Sequence, residues 1–225
     1  HFGAVYYEAE IYIDGNFVGR HFGGSSSFAF DVTKYLADGK AHNLVVRANS
    51  DLRSKTQGSG KQSLRSYSYS CVYTRTTGIW QTVYIEYIPQ DYVENFKIYP
   101  DHQNGLVTIN FALKGKENLT CEAFYDGKSV GKTIMENACG NEVLQIKLDE
   151  THLWEVGNGR LYDLNITFGE DEVKSYFGLR NVRLDGYKFL INEKSVFQRL
   201  VLDQGFYKKG IYTAPCDEDL IKDIT

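Results

Sequence analysis

Glu8 and Glu10 are the first residues of this 225-residue chain whose types and spacing could do acid–base work. They sit two apart in the alternating run from Val5 to Ile13, so on extended backbone they leave the same side of a strand roughly 7 Å from one another. A carboxyl that gives a proton beside a carboxylate that takes one is a hydrolytic pairing. The same alternation offers a plainer account. Tyr7, Ala9, Ile11 and Ile13 share one face, Glu8, Glu10 and Tyr12 share the other, and nothing in the sequence encloses the acids. A solvated strand face is therefore the favoured reading.

Metal and thiol chemistry have less behind them. Cys71, Cys121, Cys139 and Cys216 show no Cys-x-x-Cys spacing, and His1, His21, His42, His102 and His152 are scattered without a ligand pair one helical turn apart, so no metal and no cofactor is expected. Cys121 and Cys139 fall in one expected domain and could meet across strands. Four free, mostly buried thiols in a reducing compartment is the preferred alternative. Tyr73, Arg75 and Trp80 offer another chemistry, because aromatic rings stack on sugar faces and arginine binds hydroxyls. Trp80 follows a Gly-Ile step in an apolar alternation, and a core tryptophan with Arg75 bracing a domain junction is preferred to a sugar site.

The formal net charge is -4, from interspersed acids and bases, so no basic face points to nucleic acid or anionic lipid. No apolar run is long enough to span a bilayer, and no secretory signal is present. The compartment is left as cytoplasmic or periplasmic. The triplets Asn118-Leu119-Thr120 and Asn165-Ile166-Thr167 have the form of glycosylation acceptors, but chance supplies such triplets in a chain rich in Asn and Thr.

The elements that would position these groups are strands. Aromatics make up 14% of the chain, with 17 Tyr and only 3 Pro, a composition suited to pleated, half-buried surfaces. After the first alternation, Asp14-Gly15-Asn16 supplies a hairpin turn. Phe28, Phe30 and Val32, then Leu44, Val46 and Ala48, repeat the spacing of two. From Asn49 to Ser70 periodicity vanishes in a loop rich in Ser, Gly, Lys and Arg, including Arg53, Lys55, Lys61, Gln62 and Arg65. A mobile solvated loop is its default reading, and a reach toward a barrel mouth or subunit contact the functional one. Periodicity returns from Cys71 to Pro89. Strands are then expected at 93–99, 106–113, 120–125, 143–148, 161–168 and 173–179, separated by turn clusters such as Asp126-Gly127. From Gly186 the chain reads as hairpin, hydrophobic strand, polar loop and helix start. That is the first strand-to-helix step of an α/β barrel, a fold of about 250 residues.

Residues Tyr73-Thr74-Arg75-Thr76-Thr77-Gly78-Ile79-Trp80-Gln81-Thr82-Val83 resemble the close of the N-terminal jelly-roll, or sugar-binding, domain of glycoside hydrolase family 2. The opening residues 1–36, with Phe28 to Thr33, are similar to an earlier part of that domain. His152-Leu153-Trp154, Leu161 to Leu164 and Tyr176 to Arg180 resemble the end of the family's immunoglobulin-like domain, and Phe189 to Ile224 the entry to its catalytic barrel. The resemblance implies an all-β architecture: a galactose-binding-like jelly-roll sandwich at 1–89, an immunoglobulin-like β-sandwich at 90–183, and the truncated first strand and helix start of a TIM barrel at 184–225. It departs from the family in lacking several strands ahead of His1, and in carrying Leu200 where many members have Gly after the residue matching Arg199.

The implied activity is hydrolysis of O-glycosidic bonds by a retaining two-carboxylate mechanism, β-galactosidase foremost, with β-glucuronidase and β-mannosidase as alternatives. The family's catalytic glutamates sit on later barrel strands, so this chain is expected to be a non-catalytic piece, inactive alone. Barrel enzymes build their sites at the C-terminal ends of strands, which makes Asp203 and Gln204 the expected substrate-binding residues. Loop capping is the competing role for Asp203. Cys216 or Asp217 is expected to cap the following helix. The partner implied is a carbohydrate, bound through the missing barrel. A free-standing carbohydrate-binding or adhesion module is the alternative, and a homo-oligomer is a further expectation.

Overall fold

In the computed structural model, which describes residues 1–224, the alternation after His1 folds as two short strands instead of one. β1 is Val5–Tyr6 and β2 is Glu8–Ile13. Asp14 and Gly15 take left-handed backbone, φ +49° and +80°, which closes the tight hairpin to β3, Asn16–Phe22. α1 is the single turn Thr33–Leu36, and β4, Leu44–Asn49, pairs antiparallel with the other side of β2. β2 is thus central in a β3-β2-β4 sheet, and β5, Gly78–Ile79, pairs with β1. Ala9 and Ile11 point into a small core with Phe2 and Val5, packed by Phe28, Phe30, Val46 and Val83. Phe28 and Phe30 reach that core without forming a strand: among the described residues only a single bridge, Phe2 to Phe28, joins this stretch to the rest. Gly19 permits it, since a Cβ there would lie 2.4 Å from the Phe30 ring.

These elements form one compact unit, His1–Glu86, together with the segment from Leu202 onward. That segment ends in α2, Asp217–Ile224. Cys216 precedes the helix, with its Sγ 3.5 Å from Asp219 Oδ2 and its carbonyl accepting from the Asp219 N–H at 3.2 Å. Thr225, the last position of the expected barrel segment, lies outside the described residues.

The second unit, Tyr87–Val201, holds the larger core. β6 is Tyr92–Asp101, β7 Leu106–Tyr125, β8 Lys128–Lys147, β9 Tyr162–Phe168 and β10 Asp171–Phe177. β7 and β8 are each 20 residues long; the sequence had offered two strands for the first and only the end of the second. β7 pairs with β8 along most of its length, with β6 over its first half and with β9 over its second. Alternate residues Val107, Ile109, Phe111 and Leu113, then Leu119, Cys121 and Ala123, meet Tyr162, Leu164, Ile166 and Phe168 in one cluster. Each such side chain taken from water contributes about 1.5–3 kcal/mol. A three-stranded meander follows: β11 Val182–Asp185, β12 Lys188–Ile191 and β13 Lys194–Ser195.

Two stretches that alternate in sequence lack ladders among the described residues. Tyr84, Ile85, Tyr87 and Ile88 are 49–88% exposed, and Leu200, Val201 and Leu202 are 79–93% exposed. Extended backbone becomes a strand only when a neighbour takes its N–H and C=O groups. Of these residues Tyr84 alone has one among the described residues, its N–H donating to the His1 carbonyl at 3.1 Å and its carbonyl accepting from the His1 amino group at 2.9 Å. Among the described residues no helix is long and apolar enough to cross a membrane.

Candidate functional site

The side chain of Gln204 is held from two directions by the segment 61–73. Tyr73 donates its hydroxyl to Gln204 Oε1 at 2.5 Å, and Lys61 Nζ donates to the same oxygen at 3.3 Å. Lys61 and Tyr73 are themselves joined, the Tyr73 N–H to the Lys61 carbonyl at 2.7 Å and the Ser63 N–H to the Tyr73 carbonyl at 2.7 Å. Phe206 stacks on Tyr73, centroids 4.2 Å apart and planes 15° apart. Tyr212 lies 5.9 Å from the Trp80 ring, and Thr213 donates its hydroxyl to the Trp80 carbonyl at 2.5 Å. With its oxygen saturated, Gln204 keeps both amide N–H donors unpaired among the described residues. Such a group suits a hydroxyl acceptor.

Asp203 is exposed, and its Oδ1 accepts the Gly205 N–H at 2.7 Å, closing a turn at Gly205, φ +58°. The capping role is therefore present, and Oδ2 makes no hydrogen bond among the described residues. The two residues lie next to one another in the chain but do different local work: one shapes the loop, the other fastens it.

Residues 50–77 are irregular yet well anchored, unlike a mobile solvated loop. Gln62 and Ser63 are 5% and 0% exposed. Tyr6 donates its hydroxyl to the Gly58 carbonyl at 2.6 Å, and Gln57 Nε2 donates to Tyr6 Oη at 3.2 Å. Trp80 is half-buried, with its indole N–H donating to the Gly24 carbonyl at 2.6 Å, and it stands at the edge of the first unit's core and not within it. Arg75, by contrast, is exposed and makes no ion pair or hydrogen bond among the described residues; it braces nothing. Phe206 and Tyr212 carry no motif. Their only sequence signal is the presence of large rings in an otherwise polar loop.

The Glu8–Glu10 pair is not a free acid pair, and Glu10 is not solvated. It is 7% exposed. Cross-strand register sets Arg20 of β3 and Arg47 of β4 directly opposite it. Arg20 pairs with Glu10 Oε1, and Arg47 Nη1 and Tyr12 Oη donate to Oε2 at 3.0 and 3.1 Å. Arg20, then Tyr12 and Arg47, bring the Glu10 carboxyl from an ordinary 4.5 down to about 2. Glu8 is bound by Arg20 Nε at 3.2 Å and Asn49 Nδ2 at 3.2 Å. A carboxylate so completely neutralised is a poor proton donor or nucleophile. The sequence could not show this, because the two arginines come from other strands.

All four cysteines are free, but only Cys121 is buried; Cys71, Cys139 and Cys216 are exposed. Cys121 faces Thr133 and Cys139 faces Lys116 across the β7–β8 ladder, so that register keeps them apart. No His/Cys/Asp/Glu group among the described residues could hold a metal ion.

Residues 91–180 match the family described as Glycosyl hydrolases family 2. The match takes in the strands β6 to β10 of the second unit. The chain is 25% identical over 216 residues to a β-galactosidase of Thermoanaerobacter pseudethanolicus, covering 85% of this chain and 27% of that protein. It is 23% identical to a β-glucuronidase of Streptococcus agalactiae, covering 87% and 35%, and 26% identical to a β-glucuronidase of Rattus norvegicus, covering 86% and 33%. It thus spans about a quarter to a third of the length of these curated relatives. Among solved structures, a β-glucuronidase from Ruminococcus gnavus superposes with a TM-score of 0.77 at 18% identity, over 99% of this chain and 40% of that one. At such identity the likeness is one of fold.

Proposed function

We propose that this chain is the non-catalytic part of a longer family 2 glycoside hydrolase that cleaves β-galactosides with retention of configuration, using two carboxylates outside residues 1–225. The observation that supports it is the run of β-glycosidase relatives matching 85–87% of the chain. On this reading 1–89 is a jelly-roll sandwich, 90–183 an immunoglobulin-like sandwich and 184–225 the entry to a TIM barrel. The neutralised state of Glu8 and Glu10 supports the non-catalytic assignment, since they are the acid pair the sequence put forward.

Asp203 and Gln204 are proposed to bind the substrate sugar, Gln204 through its outward amide donors and Asp203 through Oδ2. Lys61 and Tyr73 act as positioning residues for Gln204. A β-glucuronidase reading is supported equally, by the Streptococcus and rat relatives. The deciding experiment sets the longer protein and the 225-residue chain against nitrophenyl β-galactoside, β-glucuronide and β-mannoside. The expected result is release from the galactoside by the longer protein and none by the chain. Turnover by the chain overturns the non-catalytic assignment, and preference for the glucuronide overturns the galactoside one.

A further inference from the structure

The segment after β4 encloses a cleft that the proposed reaction does not use. Its volume is about 320 Å³, within the range that ligand pockets occupy. Arg53 and Arg75 supply its positive charge, Ser50 and Thr77 its hydroxyls, and Leu52 and Leu64 its apolar surface. Asp51 also lines it, committed on both its backbone and its side chain: its N–H donates to Gln57 Oε1 at 2.8 Å, and its Oδ1 accepts the Arg53 N–H at 3.0 Å. Gln57 Nε2 bonds both Ser50 Oγ, at 3.0 Å, and Tyr6 Oη, at 3.2 Å. That amide ties the wall of the cleft to β1, so the cleft is built before any ligand arrives.

Most of the chain's other arginines are engaged, and exposed Arg199, which has no such partner among the described residues either, lies outside the cleft. Arg20 and Arg47 are clamped on Glu10, Arg183 on Glu193, Arg65 lies over the Tyr69 ring at 4.4 Å and Arg180 over Trp154 at 4.3 Å. Arg53 and Arg75 have no ion pair, side-chain hydrogen bond or ring partner among the described residues, yet they share one cleft. Two arginines against the single carboxylate of Asp51 leave the lining with an excess positive charge, which favours an anion, and a guanidinium's planar fork matches the oxygens of a carboxylate or sulfate. The hydroxyls and leucines beside them suit the O–H and C–H faces of a sugar ring.

We propose that this cleft binds an anionic sugar, its carboxylate or sulfate ester held by Arg53 and Arg75. The site is separate from the Gln204 clasp and needs no hydrolysis, so it stands or falls independently of the activity proposed above. Calorimetry on the 225-residue chain tests it with the methyl glycosides of glucuronate and galacturonate, galactose 6-sulfate, neutral methyl galactoside, acetate and inorganic sulfate. At least one anionic sugar should bind about tenfold or more tighter than the neutral one and than either bare ion, more weakly as salt rises. Arg53→Ala and Arg75→Ala should each weaken that binding about tenfold, the loss of a charge-assisted contact, and Arg75→Lys should restore it only in part. The carboxylate and sulfate arms identify the anion. Neither side chain has an ion pair or hydrogen bond among the described residues, so their removal breaks none, and circular dichroism checks that the fold is kept. Failure of every anionic sugar to bind, equal binding of the neutral galactoside or of a bare ion, or unchanged affinity in both alanine variants overturns the proposal.

Discussion

The Tyr73 hydroxyl lies 2.5 Å from Gln204 Oε1, a hydrogen bond spanning 131 positions of sequence. The ring below that hydroxyl is separately held by Phe206, so the two contributions can be taken apart. Tyr73→Phe removes the hydrogen bond alone and should cost about 1 kcal/mol. Tyr73→Ala removes the stack as well and should cost a further ~0.5–1.5 kcal/mol beyond the lost area. Urea unfolding of the chain measures both, and equal midpoints for wild type and Tyr73→Phe would show that the hydroxyl does not fasten Gln204.

Glu10 makes the first unit sensitive to acid. Its carboxyl titrates near 2 when folded, against about 4.5 when free. A depressed carboxyl stabilises fully above its unfolded value, and that contribution is lost as pH falls from about 4.5 through about 2. Stability measured by thermal denaturation should drop across that window, and Glu10→Gln should flatten the drop while lowering stability at neutral pH. An unchanged acid limb in the variant would remove Glu10 as its source.

His42 works in the opposite direction. Its Nδ1 is 2.6 Å from Asp14 Oδ2 and its Nε2 is 2.8 Å from Asp38 Oδ1, and the Asp14 hydrogen bond leads in raising its pKa above the ordinary 6.5. The imidazolium therefore stabilises fully below pH 6.5, and this contribution is lost as pH rises through the folded value. NMR titration of the ring should place its midpoint above 6.5, and Asp14→Asn should bring it down. A midpoint at or below 6.5 in the wild type would contradict the ion pairs.

Gly115 and Gly127 both have left-handed backbone, φ +93° and +77°, but different surroundings. A Cβ on Gly115 would lie 1.6 Å from Asp91 Oδ1, the atom that accepts the Lys116 N–H, whereas nothing stands within 4 Å of Gly127. Gly127→Ala should cost only backbone strain, about 1 kcal/mol. Gly115→Ala adds displacement of the Asp91 side chain and should cost about 1–3 kcal/mol more. Melting temperatures of the two variants give the comparison, and equal losses would mean that Asp91 moves aside freely.

Thiol reactivity separates the cysteines. Burial pushes the Cys121 thiol up to about 12, leaving almost no thiolate at neutral pH. A soluble disulfide reagent should label Cys71, Cys139 and Cys216 in the native chain and Cys121 only after denaturant is added. Mass spectrometry showing fast native labelling of Cys121 would contradict its place in the core.

Where alternation and burial agree, the strands were legible: Tyr162, Leu164, Ile166 and Phe168 are all 0–1% exposed, and the expected strand at 161–168 is β9 to within a residue. The first half of β8 was not, because between Lys128 and Gly140 only Val130, Gly131 and Ala138 are buried, which leaves no apolar period to read. Its ladder is dictated by β7, which no local pattern reports. The Phe28–Val32 alternation was visible and its core-facing rings were real, but ladder partners cannot be inferred from spacing. The site divides the same way. Gln204 could be singled out from the order of elements, while Lys61 and Tyr73 reach it from 143 and 131 positions away, and the cleft between Arg53 and Arg75 depends on how an aperiodic segment closes on itself.

β7 exchanges β6 for β9 as a neighbour partway along its length while keeping β8 beside it. A single continuous backbone is thereby a member of both hydrogen-bonded neighbourhoods of the second unit. Peeling away either neighbourhood strips donors and acceptors from the strand that the other depends on. The unit should accordingly lose its amide-exchange protection in β6, β8 and β9 together, melting as one cooperative block.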